Sequence, residues 1–316
     1  MSSVLFFQGK IYLIDCGPNI SYALMALGIG INEIEGIFHT HAHDDHFAGI
    51  TALMRSDHRI KYFSTKLIRK SVTKKLSALL DMDEDDFTVY FDIHDLDFDE
   101  WNNIEGLEVL PLLSPHPIET NIFYFRTMWE GGYKSYAHLA DLSSFSVLHR
   151  MIKVDNSANG ITKAMLDKVK KDYLKEATIK KVDVGGGMIH GDAEDFKTDA
   201  TRKIILSHTS TELDEKQKEI GSSALFGSVD ILVPDYQDFL MRSAFHYLRS
   251  YFPTVPVYQL RILMNNTIDL INPESIIIKE GEVSDYIYLI LSGSVEMIQT
   301  KQNIHSHLSA GTIIAE

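Results

Sequence analysis

Apolar residues fall in short runs bounded by glycine, proline and acidic turns, and segments with helical spacing separate them. Residues 4–7 and 11–15 are two such runs on either side of Gln8-Gly9-Lys10. They predict a β-hairpin that Gly17-Pro18-Asn19 ends. Residues 20–27 have helical spacing, which Gly28 and Gly30 stop. Residues 34–40 predict a buried strand, a His-rich segment follows directly, and residues 47–53 predict a helix start. Strand, polar loop, helix is the order in which an α/β protein presents a site at a strand's carboxyl end.

Residues 62–64, 107–113, 122–127, 135–139, 204–207 and 231–233 also read as strands, and residues 66–80 as an amphipathic helix. A second helix, over residues 161–177, carries Met165, Val169, Tyr173 and Ala177 on one packing stripe. The acidic stretches 81–86 and 92–100 lack the spacing of a calcium loop and read as solvated loops and turns. Gly185-Gly186-Gly187 predicts a flexible loop without the pattern of a nucleotide-binding turn. Pro253 and Pro256 bracket a junction. Beyond residue 271, apolar runs at 275–279, 286–291 and 294–299 alternate with turns, as antiparallel β-structure does.

With 316 residues, 45% of them apolar, the chain has room for one large domain and a small one. A net charge of -14 argues against binding duplex nucleic acid, which needs clustered Lys and Arg. It leaves an anionic substrate open, because bound metal ions supply local positive charge. Cys16 is the single cysteine, so no internal disulfide forms, and a cytoplasmic location is expected. No stretch has the roughly 20 apolar residues that cross a bilayer, and no secretory signal opens the chain. Both ends are abrupt, which reads as a fragment of a longer protein.

The densest chemistry lies in Thr40-His41-Ala42-His43-Asp44-Asp45-His46. Imidazole and carboxylate at this density suit Zn, Fe or Mn better than they suit packing. His41 and His43 are two apart, so on an extended segment their side chains point the same way and can grip one ion. Asp45 and His46 come as the chain turns into a helix and can face a second.

His41-x-His43-x-Asp45-His46 resembles the HxHxDH signature of the metallo-β-lactamase superfamily, and the likeness runs over roughly residues 4–240. Asp15 resembles that family's early structural Asp. His116, Asp141 and His208 resemble its next ligand, its bridging carboxylate and its last ligand, in the same order along the chain. The resemblance implies two divalent metal ions. His41, His43 and His116 would hold one, Asp45, His46 and His208 the other, and Asp141 would bridge them. It also implies a hydroxide shared by the two ions as the attacking group, with Asp45 steering it and no Ser or Cys nucleophile. His190, beside the glycine loop, reads either as a substrate-contacting or proton-donating group or as an ordinary loop residue. His39 and His138 adjoin the motifs and are candidates for supporting the ligands. His94, His149, His246, His305 and His307 carry no signal.

Residues 277–295, with Gly281, Tyr288 and Gly293, resemble the first half of a cyclic-nucleotide-binding domain, and residues 310–316 resemble the run into its phosphate-binding cassette. Glu316 would then be the acidic residue that meets the ribose hydroxyl. The cassette's following helix and Arg are not in this sequence, so the chain as written is not expected to bind cyclic nucleotide well. A plain β module for packing or dimerisation is the other reading.

The expected fold is therefore α/β: an αββα metallo-β-lactamase-like sandwich over residues 1–255 and a small C-terminal antiparallel β-roll over 256–316. The expected function is a metal-dependent, phosphodiesterase-like hydrolase of a small molecule or nucleotide, regulated in the full-length protein by a cyclic nucleotide. A thioesterase or lactonase is one alternative. A diiron sensor of oxygen or nitric oxide is another, against which stands His43 where the superfamily's flavodiiron branch usually has Glu. All seven ligand positions are filled, which argues against a metal-free scaffold. Homo-oligomerisation through the helix over 161–177 or the β-roll stays open.

Overall fold

The computed structural model describes residues 2–153, 160–209, 211–233 and 238–314. They form two compact units, Met1–Thr127 with Lys134–Leu232, and Met128–Tyr133 with Val233–Glu316. The strands of the larger unit are β1 (Ser3–Phe7), β2 (Lys10–Ile14), β3 (Ile34–Phe38), β4 (Ile60–Thr65), β5 (Phe91–Leu96), β6 (Asn102–Ile104), β7 (Leu107–Leu113), β8 (Asn121–Trp129), β9 (Gly132–Leu139), β10 (Ile179–Asp183), β11 (Lys203–Ser207) and β12 (Ser222–Ser223). Its helices are α1 (Ile20–Ala26), α2 (Asp44–Phe47), α3 (Ile50–Leu53), α4 (Lys66–Leu80), α5 (Phe87–Tyr90), α6 (Phe145–Arg150), α7 (Lys163–Tyr173) and α8 (Glu215–Ile220).

One sheet has the order β1-β2-β3-β4-β5 and is parallel except for the β1–β2 hairpin. The other has the order β12-β11-β10-β9-β8-β7-β6, antiparallel over β6–β8 and parallel over β9–β12. Strand periodicity sends alternate side chains to opposite faces. Tyr12 and Ile14 of β2, Phe38 of β3 and Phe63 of β4 thus meet Phe123 and Phe125 of β8 between the sheets. Phe38 stacks on Phe63 at 4.8 Å and meets Phe125 edge-on at 5.0 Å. The opposite phase, Leu13, Ile37 and Tyr62, is covered by Leu24 of α1 and by Val72 and Leu76 of α4. The far face of the second sheet, including Tyr124, Leu139 and Val182, is covered by Leu148 of α6 and by Leu166, Val169 and Tyr173 of α7. The result is the αββα sandwich.

Several elements differ from the sequence reading. Residues 92–96, read as loop, belong to β5, which pairs parallel with β4 at the sheet's edge and buries only Phe91 and Leu96, so no alternation shows. β10 went unanticipated because Lys180 and Lys181 interrupt its apolar run. Lys180 is nonetheless fully buried, its Nζ donating to the Tyr173 carbonyl at 2.9 Å and pairing with Asp199. Lys181 donates to Ser3 Oγ at 2.8 Å. Residues 231–233 form no strand. In α7 it is Leu166, Val169 and Tyr173 that are buried, while Met165 is only partly so.

The smaller unit contains α9 (Asp238–Tyr251), α10 (Val257–Leu263), β13 (Tyr288–Leu289), β14 (Ser294–Gln299), β15 (Ile304–Ser309) and β16 (Ile313–Ile314). β13 pairs with β16 and β14 with β15, both antiparallel, whereas residues 275–279 form no strand. No helix among the described residues is long and apolar enough to cross a membrane.

Glu35 of β3 accepts hydrogen bonds from Lys10 Nζ at 2.8 Å and Lys61 Nζ at 2.6 Å. Burial alone would raise its pKa, but the two ammonium groups outweigh that and bring it down to about 2. A depressed carboxyl pKa stabilises the fold above the unfolded value and loses that contribution as pH falls through the folded one. The stability advantage of the native chain over Glu35→Gln, about 1 kcal/mol at neutral pH for a part-exposed ion pair, should therefore shrink between about pH 4.5 and 2, read as a narrowing difference in melting temperature. Equal acid profiles for the two proteins would contradict this.

Candidate metal centre

Asp15 sits just past β2 in a left-handed conformation, at φ 62°. Its Oδ1 accepts the Thr40 backbone N–H at 2.7 Å, and its Oδ2 takes the Thr40 hydroxyl and His46 Nδ1, each at 2.7 Å. One buried carboxylate thereby ties the end of β2 to the loop after β3. Backbone bonds from Cys16 N to His46 O (2.6 Å) and from Gly49 N to Cys16 O (2.8 Å) complete the tie. A Cβ on Gly49 would stand 2.2 Å from the Gly17 carbonyl, so the approach requires glycine. These contacts leave His41 and His43 on extended chain and put Asp45 and His46 in the single turn of α2.

The other residues arrive from the second sheet. His116 follows β7, Asp141 follows β9, and His208 follows β11 in a left-handed conformation at φ 64°. Strain of this kind at a non-glycine residue costs on the order of 1 kcal/mol or more and persists only where the surroundings impose it. Ser114 Oγ donates to the Asp141 carbonyl at 2.7 Å and so fixes the loops of His116 and Asp141 to each other.

Two groups of donors match the expected ligand sets, and a third, overlapping one joins Asp183 and His190 to Asp141 and His208. The ligand atoms of His41, His43, His116 and Asp141 lie within 4.8 Å of one another, and so do those of Asp45, His46, Asp141 and His208. In the first group, His116 Nε2 is 3.0 Å from His43 Nδ1, and both His41 Nε2 and His116 Nε2 are 3.5 Å from Asp141 Oδ2. In the second, Asp141 Oδ1 is 3.1 Å from His46 Nε2 and 3.0 Å from His208 Nδ1, while Asp45 Oδ2 is 3.2 Å from His46 Nε2 and 3.1 Å from His208 Nε2. His41, His46 and Asp141 are buried and form the floor.

The residues fit a pair of metal ions. The buried atoms His41 Nε2, His46 Nε2, Asp141 Oδ1 and His208 Nδ1 lack a hydrogen bond of acceptable geometry. Orphaned polar atoms are rare in folded chains, and here they converge. The electrostatics agree. Burial pushes His116 down to about 4, so its imidazole is neutral and free to ligate. Burial would lower His46 and His208 too, but Asp15, Asp141, Asp45 and Asp183 override it and push them up to about 10 and about 11. The second group thus carries carboxylate charge that protons satisfy in the absence of a cation. Metal binding displaces those protons.

His190 lies at the rim of the same cluster, its ring 4.4 Å from that of His208. Its partner, Asp183 at the end of β10, is the functional residue that the sequence reading missed. Asp183 Oδ2 accepts from His190 Nδ1 at 3.0 Å and from the backbone N–H groups of Leu142 and Gly191, and Oδ1 accepts from Gly185 N. The hidden strand concealed it, although its spacing of seven residues from His190 across the glycines is a usable signal. The structure gives His39 a packing role, between the rings of Phe47 and Tyr62, with burial lowering its pKa to about 4. His138 Nδ1 pairs with the Tyr136 hydroxyl at 2.8 Å. Glu316 lies outside the described residues.

Residues 2–226 match the family model described as Anti-Pycsar protein Apyc1. The chain is also 23% identical, over 99% of its own length, to the cAMP/cGMP-dependent 3',5'-cAMP/cGMP phosphodiesterase B of Dictyostelium discoideum, of which it spans 29%. Among solved structures, the short form of human tRNase Z aligns with a TM-score of 0.51 at 18% identity, over 74% of this chain and 93% of that one. The metallo-beta-lactamase fold protein YhfI from Bacillus subtilis aligns with a TM-score of 0.51 at 13% identity, over 71% and 87%. Fold and donor set define a metallo-hydrolase of the metallo-β-lactamase fold. Within that class, the chain belongs to the family of the Anti-Pycsar protein Apyc1.

Asp15→Asn should keep the fold but loosen His46, because a carboxylate that orients a ligating imidazole is typically worth 10–100-fold in metal affinity. Chelator competition, read as metal retained per chain, should show a loss of about that size. Retention equal to that of the native protein would remove Asp15 from the centre.

Proposed function

We propose that this chain is a metal-dependent phosphodiesterase that opens a cyclic nucleotide. The observation that carries the reading is the pair of four-donor groups sharing the buried Asp141 carboxylate. The substrate class rests on the cyclic phosphodiesterase that the chain parallels over 99% of its length. His41, His43, His116, Asp45, His46, His208 and Asp141 would hold divalent ions, which when bound would supply Lewis-acid charge and acidify water there. His and Asp donors accept Zn, Fe and Mn alike.

The chain's own residues do the rest. Water oxygen joins phosphorus, one ribose P–O bond breaks, and the ribose oxygen leaves as an alcohol. Asp45 orients the incoming water, whose proton passes to solvent. His190 gives the leaving oxygen its proton. Its hydrogen bond to Asp183 raises its pKa above the ordinary imidazole value, which keeps it protonated closer to neutral pH. With Nδ1 held by Asp183, Nε2 is the nitrogen left to donate. We also propose that a cyclic nucleotide regulates the full-length protein through the C-terminal β-roll and Glu316. The resemblance of residues 277–295 and 310–316 to a cyclic-nucleotide-binding domain supports this, as does the relative's cAMP/cGMP dependence.

Metal-loaded protein should hydrolyse 3',5'-cyclic nucleotides, and chelation should abolish the activity. Asp141→Ala should cost at least about 1,000-fold in kcat. His190→Ala should cost about 100-fold, mainly in kcat, and flatten the alkaline limb of the pH profile. Full activity in metal-stripped protein, or faster turnover of thioesters or lactones, would overturn the reading.

A further inference from the structure

A group of metal-ligand type separate from those around Asp141 stands in the smaller unit, on the hairpin of β14 and β15. The register pairs Glu296 with His307 and Ile298 with His305. Alternation along both strands turns Glu296, His305 and His307 to the same solvent-facing side, while Val295, Met297, Ser306 and Leu308 face the other way, partly covered. His305 Nε2 is 3.4 Å from Glu296 Oε2, and His307 Nδ1 is 3.8 Å from Glu296 Oε1. The two imidazole rings lie 5.6 Å apart. One donor atom from each of the three residues falls within 4.8 Å of the others.

We propose that Glu296, His305 and His307 form a separate site for a divalent transition-metal ion of the zinc type. Four donors arranged tetrahedrally at about 2.0–2.1 Å from zinc stand roughly 3.3 Å from one another. The two Glu–His distances, one to each carboxylate oxygen, are near that spacing, and one donor from each residue falls within 4.8 Å of the others, so side-chain rotation brings them onto one ion. Two imidazoles and a carboxylate are the donor set of many zinc sites, and the exposure of all three residues leaves the remaining position to water. His305-Ser306-His307 repeats the two-residue spacing of His41-Ala42-His43, but its carboxylate comes from the neighbouring strand, which no pattern along the chain displays.

Such an ion has a clear physical use here. Beyond Asn265, Ile290 is the one buried residue among the described residues. A module with so little core gains from a cross-link between adjacent strands, and a metal ion that binds only the folded hairpin stabilises it by mass action.

The test is zinc stoichiometry in the full chain. Native protein and the His305→Ala/His307→Ala double variant are dialysed to equilibrium against micromolar zinc, and metal per chain is measured. The native protein should hold one more zinc than the double variant. Glu296→Gln should need at least tenfold more zinc to fill that last site. Turnover by the catalytic centre should be unchanged in both variants. In hydrogen exchange, zinc should slow the amides of β14 and β15 in the native chain and leave them unaffected in the double variant. Equal zinc content in native and double-variant protein would overturn the proposal, as would native-like affinity in Glu296→Gln.

Discussion

The Asp141 carboxylate is the point on which the larger unit depends. It is 2% exposed, and imidazole nitrogens of His41, His46, His116 and His208 approach its two oxygens at 3.0–3.5 Å. A buried carboxylate is costly unless positive charge stands against it. Without a metal, that charge comes from protons on His46 and His208. Divalent ions held by these residues would answer the same demand with a larger charge. The cluster is therefore poised between protonation and metallation.

Around that point the sandwich acts as a jig. Asp15, the His41–His46 loop, His116, Asp141, Asp183 and His208 all stand at or just past the carboxyl ends of strands, drawn from both sheets. Their relative placement depends on how the sheets pack, and the aromatic layer of Phe38, Phe63, Phe123 and Phe125 sets that packing. Short buried links transmit it to the loops, from Asp15 to Thr40 and His46 and from Ser114 to Asp141. The left-handed backbone at Asp15 and His208 shows that the loops bend to serve the cluster.

The two units are stabilised differently. The larger one buries three hydrophobic layers. The segment that follows Asn265 buries almost nothing and leaves Leu270, Ile276, Val283 and Ile287 largely exposed. Hydrophobic burial is the main favourable term in folding, so this segment depends more than the rest on hydrogen bonding.

The residues alone marked the loop after β3 as a candidate metal site, because five ligand-type side chains within six residues have no packing explanation. They also settled most strands and α4, because periodicity of two or 3.6 is imposed by which face is buried. Four features needed the tertiary structure. β10 was hidden because two lysines in an apolar run find partners that only folding supplies. β5 was hidden because an edge strand need bury little. Asp183 became visible as the group holding His190 only once β10 had placed it beside the cluster. The likeness of Glu296, His305 and His307 to a ligand set appeared only with the hairpin register. In each case the reason is the same: a one-dimensional pattern records which side chains want to be buried, whereas partners distant along the chain are fixed by strand pairing and packing.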